Sequence, residues 1–218
     1  MSDLEFSPDI LGLMRARALA DSSFAELDQI FSSGGTAPVN VNGPADAQKI
    51  AIMLSLLDGA PGCLLVPDEL RARSAASELR AMTTAPVRIF RPREYNLADA
   101  DAASRDSEMK RLAVLSALRT DQAGFLIITA AASVQKLMDL RDFADWSFEL
   151  KLGMKIEIEE LCSRLLNLGF ERVQLTESAG QFARRGDIVD IALPAAEENN
   201  DVFAVRLSFF DNEIDSLR

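Results

Sequence analysis

The sequence predicts an α/β domain followed by a smaller α+β domain. Three observations carry that reading. Short apolar runs alternate with amphipathic stretches over the first 140 residues, the pattern of βαβ units and a parallel sheet. Near Asp142 the character changes, and longer runs alternate residue by residue. The chain has 218 residues, 48% of them hydrophobic, enough to bury a sizeable core in one large domain or two small ones.

The elements follow in order. Residues 10–20 and 24–31 read as helices, closed by the turn Ser32-Ser33-Gly34-Gly35. Residues 39–41 form a short strand candidate. Asn42-Gly43-Pro44 follows, with Pro44 suited to the first turn of a helix. Ile50, Met53, Leu54 and Leu57 then fall at helical spacing, and Pro61-Gly62 breaks that helix. Residues 63–66 read as a buried strand, 68–82 as a helix, and 87–90 and 125–129 as two more strands. Between the last two, residues 104–118 read as a helix. Its apolar stripe is Met109, Leu112, Ala113 and Leu115, with Ser104 as cap and Asp106 in the first turn.

In the second part, residues 148–152 alternate like a half-exposed strand. Ile158, Leu161, Leu165 and Leu168 define an amphipathic helix that Gly169 ends. Strands are expected at about 172–176, 182–193 and 202–210, the last two joined by the acidic loop 195–201. Asp211-Asn212 reads as a tight turn, so 213–218 starts a further strand. No closing element follows, which reads as a segment cut from a longer protein.

Composition excludes several functions. There is no histidine, so Ser-His-Asp and Cys-His catalysis and the commonest zinc ligand are missing. A net charge of −11 disfavours a broad phosphate-facing surface and favours a protein partner or a local basic patch. Cys63 and Cys162 sit in apolar runs and read as two buried thiols in a reducing cytoplasm. No apolar run approaches a membrane span, and the acidic start lacks the form of a signal peptide. Asp211, Glu213 and Asp215 read as a solvated strand face rather than a metal site.

The most specific stretch is the last third. It runs Gly180-Gln181-Phe182-Ala183-Arg184-Arg185-Gly186-Asp187-Ile188-Val189-Asp190-Ile191, and then Arg206-Leu207-Ser208-Phe209-Phe210-Asp211-Asn212-Glu213-Ile214-Asp215-Ser216-Leu217-Arg218. This pattern resembles one bacterial repair lineage: the excision-repair protein UvrB and the UvrB-like N-terminal module of the transcription-repair coupling factors, Mfd. The resemblance is strong over 153–218 and moderate over 39–140. It divides the chain into a UvrB-like α/β domain over 1–140, nucleotide-binding in shape but degenerate, a small α+β UvrA-interaction domain over 141–200, and strands returning to the UvrB-like region over 201–218.

UvrB carries a phosphate-cradling loop, G-x-x-x-x-G-K-[ST], at the turn that here spans residues 43–50. Counted from Gly43, Gln48 replaces the second glycine and Ile50 the Ser/Thr, although Lys49 stays. Pro44 removes an amide donor and Asp46 adds negative charge. The expectation is therefore no cofactor and no catalysis in this segment. The rival is a UvrB-like P-loop ATPase or helicase fragment of excision repair, which needs the tract that is lost. Arg93-Glu94-Tyr95-Asn96, with Ser104-Arg105-Asp106 and Arg111, resembles the part of Mfd standing where UvrB has its tyrosine-rich hairpin. Tyr95 alone is too few rings to stack unpaired bases.

The resemblance implies a partner, UvrA. It places the contacts at Arg172 and Arg185, with Phe182 and Arg184 beside them on one strand; a further arginine that UvrB often has is Ala183 here. Alternation along strand 182–193 puts Arg185 and Asp187 on one face and, if the strand is regular, Arg184 with Phe182 on the other; a bulge near Gly186 would change this. Arg172, on a neighbouring strand, is expected within a side-chain length of Arg185. In the parent protein the resemblance implies an ATP-dependent DNA translocase with RNA polymerase and DNA as further partners, and no membrane.

Overall fold

The computed structural model describes residues 9–34, 37–93, 102–120, 124–194 and 202–218. It divides into two compact units.

The first unit spans residues 1–89 and 123–129. Its helices are α1 (Asp9–Ala18), α2 (Ser22–Ser32), α3 (Asp46–Leu57) and α4 (Glu69–Met82). Its sheet holds β1 (Gly62–Val66), β2 (Val87–Phe90) and β3 (Phe125–Thr129) in the order β1-β3-β2, with β1 parallel to β3. Asp21 accepts the amides of Ser23 and Phe24 at the start of α2, and Asp68 accepts that of Arg71 at the start of α4. Ala72, Ala75, Ala76 and Leu79 of α4 bury completely with Ile50, Val87, Phe125 and Ile127. Small residues let the helix lie close to the strands.

Two expectations change here. Residues 39–41 are not a strand, so the degenerate loop follows irregular backbone rather than a strand end. Cys63 is exposed, because alternation along β1 turns Cys63 and Leu65 outward.

The second unit spans residues 90–122 and 130–218. Helix α5 (Ala102–Arg119), placed in the first domain from sequence, packs against β6 (Ile188–Pro194). It begins before Ser104, which therefore sits inside the helix rather than capping it. It buries Met109, Arg111, Val114 and Ala117, while Leu112 of the expected stripe is exposed. Arg111 lies over the Phe90 ring at 4.4 Å, a contact that suits a buried guanidinium. Two short helices follow, α6 (Ala130–Ser133) and α7 (Leu140–Asp145). Residues 148–152 are not a strand; Phe148 and Leu150 instead lay their side chains on the core.

The remaining elements are α8 (Ile158–Asn167), β4 (Glu171–Arg172), β5 (Gln181–Arg185), β7 (Val202–Phe210) and β8 (Glu213–Leu217). The sheet order is β4-β5-β6-β7-β8, parallel between β4 and β5 and antiparallel after that. The strands expected to return from 201–218 are thus β7 and β8 of this same sheet. Asp211-Asn212 makes the tight turn between them, with Asp211 at φ 57°. Ile158, Leu161, Cys162 and Leu165 of α8 pack on Phe182, Val189, Ile191, Val205, Leu207, Phe209 and Ile214.

A candidate partner-binding site

Helix α8 sets the site. It ends where Gly169, at φ 85°, lets the amides of Gly169 and Phe170 reach back to the carbonyls of Leu166 and Leu165. The chain then reverses into β4, a two-residue strand at the edge of the sheet. The strand expected to run to 176 is this short because only Glu171 and Arg172 pair with β5. The amide of Val173 adds one further bond, to the carbonyl of Phe182.

The expected strand 182–193 is two strands. Arg185 pairs with Ile188, so Gly186-Asp187 closes a two-residue hairpin. Gly186 adopts φ 59°, the left-handed conformation that such a turn favours at its first position. The Gly-Asp pair in the sequence carried this signal. Asp187 therefore belongs to the turn rather than to the face of Arg185.

The register places the four predicted residues. Arg172 lies opposite Phe182, and Arg184 is two residues further on, so all three share the face toward α8. Phe182 is completely buried beneath that helix, so it supports the surface and does not form it. Arg185 emerges on the other face, so Arg172 and Arg185 do not share a face. Electrostatics report the same division. Burial pushes the Cys162 thiol up, and Arg172 and Arg184 both act against that. Arg185 instead acts on Asp190, whose carboxyl is held below the usual range chiefly by its hydrogen bonds from Arg206 at 2.6 and 2.9 Å.

The arginines differ in engagement. Arg172 is exposed and has no ion pair among the described residues. Arg185 is exposed and donates to the carbonyl of Gln174 at 3.1 Å. Arg184 is paired through Nη1 with Glu159 of α8, and its Nε donates to the carbonyl of Gly186 at 3.2 Å. Sequence reasoning missed Glu159; its signal is the acidic first turn of α8, which also holds Glu160.

The degenerate loop has its own structure. Gln48 accepts the amide of Ala45 at 2.8 Å, and Lys49 is 2.8 Å from Asp46. The hydrogen bond from Lys49, its charge and that of Arg71 hold the Asp46 carboxyl below its ordinary range. The groove beside it, about 540 Å³, is lined by Leu27, Ile30, Phe31, Val39 and Met53, with Lys49 its one charged side chain. Tyr95 and its neighbours at 94–101 lie outside the described residues. Among the described residues no group of acids, cysteines or histidines could hold a metal, and no helix is long and apolar enough to cross a membrane.

Residues 148–218, which contain α8 and the whole five-stranded sheet, match the family model of the UvrB interaction domain. The chain is also 30% identical over 132 residues to a transcription-repair-coupling factor of Bacillus subtilis, covering 61% of this chain and 11% of that relative. The chain is thus similar to the UvrB interaction domain over residues 148–218 and to the coupling factors over a longer stretch. A transcription-repair-coupling factor of Staphylococcus aureus is 24% identical over 205 residues and one of Staphylococcus epidermidis 25% over 201, each covering 91% of the chain and 16% of the relative. The chain thus spans well under a fifth of the length of these coupling factors. The stretch that matches the UvrB interaction domain is the one that presents Arg172, Arg184 and Arg185.

Proposed function

We propose that this segment is a recruitment module, without catalysis or cofactor of its own, that binds the excision-repair protein UvrA. In the longer coupling factor it would link repair to transcription, the other parts engaging RNA polymerase and DNA as an ATP-dependent translocase. The observation that carries the reading is an arginine-bearing sheet edge within the UvrB interaction domain. Three guanidinium groups sit around a short edge strand on a body of net charge −11. A planar fork holds a carboxylate bidentately and is favoured where interfaces concentrate their energy. The buried Phe182, under α8, keeps the strand that carries two of them in place.

The alternative, a nucleotide-hydrolysing fragment, has nothing to support it at residues 43–50. Lys49 already bonds Asp46, and Gln48 is used in holding the helix start.

The test is calorimetric titration of UvrA with the segment. The wild type is expected to bind. Arg172→Glu with Arg185→Glu is expected to abolish binding by like-charge repulsion, with an unchanged circular-dichroism spectrum because both side chains are exposed. Unchanged affinity in a folded double variant would remove these residues from the site, and no binding by the wild type would remove the function.

A further inference from the structure

The three arginines are not equivalent, and the difference lies in what already occupies them. Arg184 is largely sheltered, with 24% of its side chain exposed, and two of its three nitrogens are engaged, Nη1 by Glu159 and Nε by the Gly186 carbonyl. Glu159 is 74% exposed, so its carboxylate can return to water when released. Its neighbour Glu160 is held separately by Arg164, four residues on, at 2.6 Å. Arg172 shares the face of Arg184 and stands without an ion pair among the described residues.

We propose that Glu159 is a built-in competitor: it fills Arg184 in the free protein, and a partner carboxylate takes its place while a second one engages Arg172. The inference rests on the UvrA reading and adds to it the face used, the chemistry recognised and the residue that tunes affinity. The exchange replaces one carboxylate by another, so it demands little new desolvation of Arg184. The bond to the Gly186 carbonyl keeps the guanidinium aimed during the exchange. A single acidic residue gains little by displacing Glu159, whereas two carboxylates spaced to reach both arginines gain the unpaired Arg172 as well. Glu159 thereby discriminates against isolated acids, a repulsive element of specificity.

The experiment is titration of UvrA with the wild-type segment, Glu159→Gln, Arg184→Ala and the double variant. Removing the competitor is expected to tighten binding by about 1.4-fold to fivefold, the range of an exposed ion pair. Arg184→Ala is expected to weaken binding about tenfold or more if Arg184 is a desolvated contact. In the double variant the gain from Glu159→Gln disappears, a coupling that a merely structural role of Glu159 would not produce. If Arg184→Ala loses its helical signal, Arg184→Lys replaces it; it keeps the charge without the fork and is expected to bind more weakly than the wild type. Unchanged or weaker binding by folded Glu159→Gln, with Arg185→Ala alone losing affinity, would overturn the competitor and leave the UvrA reading standing. Absence of binding by the wild type would overturn both.

Discussion

Phe182 and Arg184 are two residues apart on one strand and do separate work. Phe182 is fully buried against Leu161, Leu165 and the inner side chains of β6 and β7, whereas Arg184 reaches the helix surface. Phe182→Ala is therefore expected to destabilise the domain by about 3–5 kcal/mol through the cavity it leaves. Chemical denaturation followed by circular dichroism measures this. A stability within about 1 kcal/mol of wild type, combined with lost UvrA affinity, would return Phe182 to the interface. At this scale the sequence was legible in part. Period-2 alternation correctly joined Phe182 with Arg184. It failed at Arg185 and Asp187 because Gly186 ends the strand, and a turn resets the alternation. Glu159 was legible only as an acid in the first turn of α8; its pairing with Arg184, 25 positions away, is made by tertiary packing.

Element α3 begins as an ordinary capped helix, and its start differs from a phosphate cradle in two ways. A phosphate cradle needs free amides and a free lysine. Here the Gln48 side chain satisfies the Ala45 amide, and Lys49 is bonded to Asp46. The segment is expected to bind neither ATP nor ADP, and Gln48→Gly to lower stability by roughly 1 kcal/mol while creating no nucleotide site. Titration with nucleotide and magnesium, followed by heat, checks both forms; micromolar binding by either would contradict the account. Strands β1, β2 and β3 and helices α4 and α8 were legible almost to the residue, because each is bounded by a turn signal or a capping residue. Residues 39–41 and 148–152 were not. Their apolar character is real, but a strand also needs a neighbour to pair with. Residues 39–41 lack a ladder in the structure, and 148–152 serve the core through side chains alone. The stripe of α5 was misplaced by the same rule, since Arg111 over Phe90 buries a residue that hydrophobicity would leave outside.

For the whole molecule the governing quantity is charge. Lys and Arg together number 23 against 34 Asp and Glu. Many of the basic groups are also engaged within the fold: Arg15 with Asp28, Arg71 with Glu78, Arg73 with Glu69, Arg164 with Glu160, and Arg206 with Asp190. Affinity for duplex DNA comes largely from releasing counterions, in proportion to the number of phosphates neutralised. Arg172, Arg184 and Arg185 could neutralise roughly three phosphates at most, and the acidic remainder repels the others. The segment is accordingly expected to show no sub-micromolar binding to duplex DNA at physiological salt. Any residual binding should fall with a shallow slope of log affinity against log salt, of magnitude about 3 or less. Gel-shift or fluorescence-anisotropy titration across a salt series measures both, on this segment alone so that no other part of a coupling factor contributes. Tight, salt-resistant binding would mean that a nucleic-acid surface exists which the charge distribution does not show. Under the proposed reading, the same arithmetic lets three arginines suffice for a protein partner. An interface needs a few desolvated contacts near its centre rather than a neutralised backbone, and a local positive spot on an acidic body steers an acidic partner to one edge of the sheet.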